Sequence, residues 1–149
     1  MKSLFLFTAL ATFICLSGCG QQDAPSSESA KTGDTDGPAL NSTPLDVVNR
    51  RMSAYNQHDL RAFLETYSDE VEIFTYPDKS LGKGKKHVRK IFEPMFQEGV
   101  VHVEIHHQIT KDSYVVNHET VTYGDSKTEY VSIYEVRNGL IESVRFVRD

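Results

Sequence analysis

From residue 44 onward the apolar positions change period once, and that change divides the chain into a helical half and a strand-rich half. Leu45, Val48, Met52 and Tyr55 recur at spacings of three and four, which predicts one buried stripe along a helix. Thr43-Pro44-Leu45-Asp46 supplies its start: a capping hydroxyl, a proline where the first turn tolerates it, and an acid that can reach back. Asp59 predicts the cap of a second helix with Leu60, Phe63, Leu64 and Tyr67 inward. Val71 to Tyr76 alternates like a strand that Pro77-Asp78 ends. A third helix is expected after Gly84, with Val88, Ile91, Phe92, Met95 and Phe96 inward and Pro94 kinking or splitting it. After Gly99 the period becomes two, and 100–109, 114–123, 128–136 and 140–147 are expected as strands joined by turns at Asp112, Gly124-Asp125 and Asn138-Gly139. This order predicts an α+β domain in which three helices cover one face of a curved, mostly antiparallel sheet.

The N-terminal pattern is of another kind. Lys2 precedes an apolar run, Leu4–Leu16, whose 13 residues fall short of the ~20 that a spanning helix needs. The run ends in Leu16-Ser17-Gly18-Cys19, which resembles the lipobox of bacterial lipoproteins. The resemblance implies cleavage before Cys19, a thioether-linked diacylglyceryl group on its sulfur, and acylation of the new amine, so that the protein is held at a membrane through N-terminal lipid. Gly20 after the lipid-bearing cysteine resembles the pattern for the outer membrane, should the host be Gram-negative. Residues 20–43 are polar, with Leu40 the only large apolar side chain, and cannot repay the entropy of folding. They are expected to be a flexible linker reaching roughly 25–30 Å. The expected organisation is a signal segment over 1–18, a lipidated N-terminus and linker over 19–43, and one domain over 44–149.

Composition narrows the function. The 149 residues carry a net charge of −5, and losing Lys2 with the signal makes the mature chain more acidic still. Nucleic acid is not an expected partner, since phosphate binding needs a concentrated basic face. Cys15 leaves with the signal and Cys19 takes the lipid, so no disulfide is expected and stability must come from packing. There is no Gly-x-Ser-x-Gly motif, no phosphate-cradling glycine loop and no dinucleotide fingerprint, and no cofactor is expected.

Several pieces of the domain, in order, resemble the SnoaL-like members of the nuclear transport factor 2-like (NTF2-like) superfamily. They are Ala54-Tyr55-Asn56-Gln57-His58-Asp59-Leu60, Tyr67-Ser68-Asp69-Glu70-Val71, Gly82-Lys83-Gly84, and Ile133-Tyr134-Glu135-Val136 before Asn138-Gly139. The resemblance covers about residues 45 to 149. It implies a cone of helices and sheet with an apolar pocket at its open end, and a homodimer formed through the sheet. It does not imply one activity, because this fold serves isomerases, cyclases, dehydratases and plain binders. Ketosteroid isomerases belong to the same superfamily, but their general-base aspartate falls here near Thr75 or Tyr76, their oxyanion tyrosine at Arg51 and their protonated aspartate near Ser132. That mechanism is excluded.

Strand alternation selects candidate chemistry without the family. On 100–109 the odd positions are expected inward, and a constant hairpin register about Asp112 sets His107 opposite Asn117 with Glu119 beside it. Three polar groups among Val103, Ile105, Val115 and Val121 form an environment suited to a general acid or base, with Glu119 and His107 as the catalytic candidates. The alternative is a hydrogen-bonded polar network kept for packing alone. Tyr55, Tyr76, Phe92 and Ser132 could complete a pocket, although helical spacing already explains Tyr55 and Phe92 as core. His106, His118, His102 and Glu104 are expected on the outer face, where no physiological metal is assigned and a solvated face or dimer contact is favoured. Two functions remain open: binding of a small, mainly apolar ligand with cofactor-free acid/base chemistry, or a non-enzymatic envelope module that docks through its outer sheet face.

Overall fold

A computed structural model describes residues 42–148. Cys19, the export segment and all but the end of the linker lie outside the described residues. Helix α1 (Pro44–Asn56) starts as its sequence dictates: the Thr43 hydroxyl accepts from the Asp46 backbone N–H, and the Asp46 carboxylate accepts from the Thr43 backbone N–H. That hydrogen bonding, with the Thr43 hydroxyl as first contributor, holds the Asp46 carboxyl below its ordinary range. Helix α2 (Leu60–Glu65) is capped by Asp59 Oδ1, which accepts from the Ala62 N–H at 2.9 Å.

Strand β1 (Tyr67–Thr75) is followed by a short strand β2 (Lys79–Lys83) that the hydrophobic pattern does not predict, because Lys79-Ser80-Leu81-Gly82-Lys83 has no alternation to reveal it. Helix α3 (Lys85–Glu98) then runs through Pro94 as one element, so the proline does not split it, and ends at Gly99 in the left-handed region. Four long strands follow: β3 (Val101–Lys111), β4 (Tyr114–Tyr123), β5 (Ser126–Arg137) and β6 (Leu140–Val147).

The six strands form one sheet in the order β2-β1-β6-β5-β4-β3. All neighbours are antiparallel except β1 and β6, which pair in parallel because the helical connection and the meander return the chain to the same edge. The helices cover one face. Val47, Val48, Phe63, Val71, Val88, Val115, Tyr134, Ile141 and Val144 are fully buried between the two layers. Tyr55, Phe63, Phe92 and Phe96 meet there in tilted and edge-to-face ring pairs 4.8–6.1 Å apart.

One irregularity decides which side chains face inward. Between β3 and β4 the expected register holds as far as Ile105 opposite Glu119, and then slips, with His107 opposite His118 and Gln108 opposite Asn117. His106 is the extra residue of a β-bulge, and past it the two faces of β3 exchange.

Candidate functional site

Inward positions of β4 and β5 place Asn117, Glu119, Ser132 and Tyr134 under the helices, all of them buried. Ser132 Oγ donates to Glu119 Oε1 at 2.6 Å, Tyr134 Oη donates to the same oxygen at 3.4 Å, and Asn117 Nδ2 donates to Oε2 at 3.1 Å. Gln108 Nε2 in turn donates to Asn117 Oδ1 at 2.9 Å and to Asn49 Oδ1 at 3.2 Å. The chain of donors runs one way and terminates on the Glu119 carboxyl, so three neutral groups orient a carboxylate that is 1% exposed.

Opposite this carboxyl lies a buried cation. Arg51 stands three residues after Val48 and four before Tyr55, on the apolar stripe of α1, and it is 3% exposed. Its Nε donates to the Tyr67 hydroxyl at 2.9 Å and its Nη1 to the Met52 sulfur at 3.1 Å. The guanidinium carbon sits 5.1–5.4 Å from the ring centres of Phe63, Tyr134 and Tyr55. Burial disfavours its charge, but the electrostatics of Tyr134, Tyr67 and Glu119 outweigh that cost and raise its pKa, so Arg51 remains a cation. The phenols respond to the same environment: burial raises Tyr67 and Tyr134, and pushes Tyr55 up to about 12.

Arg51 and Glu119 both line a cavity of about 220 Å³ between the helices and the sheet. Tyr55, Phe92, Met95, Val103, Val121 and Phe146 supply much of its apolar wall. The cavity reaches the surface at Leu81 and Ile91, which line it and are 41% and 39% exposed, and Arg148 also stands at this outer end. Phe92 and Phe146 line the cavity without filling it.

The structure divides the candidate residues predicted from sequence into three groups. Glu119, Tyr55 and Phe92 line the cavity. Asn117 and Ser132 stand behind Glu119 as its hydrogen-bond donors. His107 and Tyr76 are corrected. The bulge turns His107 outward, where its ring stacks on His118 at 5.8 Å, and Gln108 takes the inward place opposite Asn117. Tyr76 is 55% exposed beyond the end of β1 and lines no part of the cavity. Ile109, also expected inward, is 66% exposed for the same reason as His107.

Arg51 is the residue that sequence reasoning missed. Its signal was an arginine on an otherwise apolar helical stripe, which only a buried function or a buried partner accommodates.

On the outer face His106 lies 5.1 Å from His118, and His118 pairs with Glu129. Among the described residues no three His, Cys, Asp or Glu side chains converge on a point that a metal ion could occupy.

A family model described as a SnoaL-like domain matches residues 48–144. No curated protein matches the sequence. Among solved structures, a cystatin-fold protein from Novosphingobium aromaticivorans superposes with a TM-score of 0.66 at 22% identity, covering 72% of this chain and 99% of that one. An NTF2-like protein of unknown function from Cytophaga hutchinsonii gives 0.64 at 16% identity, covering 74% and 94%. A computationally designed 17-OHP binder gives 0.64 at 17%, covering 72% and 92%. The architecture is accordingly the NTF2-like α+β cone, as the sequence predicted.

Proposed function

The chain belongs to the SnoaL-like domain family, and we propose that its domain binds a small, mainly apolar ligand in the cavity between helices and sheet, with Glu119 as the acid/base group that meets it. One observation carries this reading: a mostly apolar cavity of about 220 Å³, open at Leu81 and Ile91, contains a buried carboxyl that three neutral donors hold in place. A carboxyl so oriented can accept a proton from a bound molecule without help from a cofactor. His107 has no part in this chemistry, because its ring is on the other face of the sheet. Likeness to the designed 17-OHP binder supports a binding role for the fold, and by itself no catalytic one.

The direct test is native mass spectrometry of the protein purified from its own host. The expected result is a stoichiometric small-molecule adduct, lost when the cavity is filled by Val121→Trp. An adduct that persists in the filled variant, or a protein without adduct that no apolar compound protects from heat, overturns the reading.

We also propose that the domain works at a membrane, tethered through lipid on Cys19; the support is the Leu16-Ser17-Gly18-Cys19 pattern behind a short apolar run. Cys19→Ser is expected to move the protein from the membrane to the soluble fraction.

A second reading has its own observation. The outer face of β4 and β5 carries Val116, Val131 and Ile133, all only part-buried, with Val147 exposed beside Val131. This apolar strip suits a second copy of the chain, and light scattering across a concentration series tests it.

A further inference from the structure

We infer that the ligand of this cavity is an organic monoanion, an apolar body bearing one carboxylate, and that Arg51 holds the carboxylate. The inference rests on the binding reading above and adds the ligand's charge.

Three observations lead to it. The first is the state of Arg51. It is 3% exposed, yet its partners are a phenol hydroxyl, a thioether sulfur and the faces of three rings, all uncharged. A guanidinium has five N–H donors, and a thioether is a weak acceptor, so most of its hydrogen-bonding capacity is unspent. None of the ion pairs among the described residues includes Arg51. The Glu119 oxygens are engaged by Ser132, Tyr134 and Asn117 instead. A buried cation without a direct counter-ion is costly, and a ligand that supplies one recovers that cost.

The second is the charge of the wall. The charged residues lining the cavity are Arg51 at its closed end, Arg148 at its outer end and Glu119, two cations against one anion, in a chain whose net charge is −5. A monoanion balances this wall. A neutral ligand leaves one positive charge over, and a cation leaves two.

The third is fit. The planar guanidinium fork matches a carboxylate with two parallel N–H···O bonds. A cavity of about 150 Å³ accepts benzene, so about 220 Å³ accommodates a ring with a modest apolar substituent.

The test uses the mature chain with Cys19→Ser, so that no acyl group competes. It is titrated with three probes that share one apolar body: 4-tert-butylcyclohexanecarboxylate, 4-tert-butylcyclohexanone and 4-tert-butylcyclohexylammonium. The carboxylate is expected to bind about tenfold or more tighter than the ketone, with the ammonium weakest. Arg51→Met is expected to abolish the carboxylate's advantage, so that the ratio of carboxylate to ketone affinity falls from about tenfold or more to about one. A ketone that binds as well as the carboxylate overturns the inference and leaves cavity binding standing. If no probe binds and the host protein carries no adduct, both fail together. Should Arg51→Met not fold, the wild-type chain suffices with a carboxylate probe labelled with carbon-13. Its bound carboxyl pKa is expected below the free value, and a raised pKa overturns the assignment.

Discussion

Strands β3 to β5 carry titratable side chains on both faces, and the two faces use them differently. Inside, Glu119 and Arg51 are almost free of solvent: groups on β4 and β5 hold Glu119, and groups on α1 and β1 hold Arg51. Outside, the rings of His106 and His107 each lie within contact distance of His118, which pairs with Glu129. Water solvates the outer set whichever way it rotates, so losing one member costs little. The inner set has no such substitute, because a polar group removed from water must be satisfied by the protein or by a ligand. Chemistry that depends on a fixed geometry therefore belongs to the inner set, although the outer set is the denser cluster in the sequence.

The largest effect expected from breaking this asymmetry is at Glu119. Glu119→Ala leaves the donors of Ser132, Asn117 and Tyr134 without their acceptor and removes the nearest buried anion from Arg51. Urea unfolding is expected to show a loss of about 3–5 kcal/mol. A loss under ~1 kcal/mol would mean that water enters and that the inner face is no drier than the outer one.

The phenols sharpen the same point through pH. Tyr55, Tyr67 and Tyr134 all have folded pKa values above the ordinary 10.0, chiefly because burial disfavours the phenolate. A raised folded value leaves stability intact below pH 10 and removes it as pH climbs from the unfolded value toward the folded one, about 12 for Tyr55. Phenolate absorbance is expected to rise for these residues together with loss of circular dichroism, in one transition within that window. Free titration of all the tyrosines before unfolding would show the interior to be wet.

The bulge predicts a smaller contrast between adjacent residues. Gln108→Ala removes the donor to Asn117 and Asn49 and is expected to cost about 1 kcal/mol. His107→Ala, one position away, is expected to stay within about 0.5 kcal/mol of the parent. The reverse order would restore His107 to the interior and the unslipped register with it.

Much of this molecule was legible from period and caps alone. The Thr43 and Asp59 caps, the stripes of the first and third helices, and the inward placement of Asn117, Glu119 and Ser132 follow from local rules, because each depends on residues within a turn or on strict alternation. Where those rules failed, a distant partner had overruled them. Strand β2 exists because β1 offers it an edge, not because of its own composition. Helix α3 passes through Pro94, and Phe92 and Phe96 on either side of it pack on Phe63. The site followed the same division: β4 and β5, which keep their register, place their residues as expected, while β3 slips at His106 and exchanges His107 for Gln108.

By itself, then, the amino-acid order determined the α+β class, the helix starts, the turn positions and which residues of β4 and β5 turn inward, since those outcomes are set by interactions a few residues apart. Only the tertiary structure decided that Arg51 is buried opposite Glu119, that an open cavity lies between them and the surface, and that three histidines gather outside. Each of these joins segments far apart in the chain, and no local period records how such segments meet.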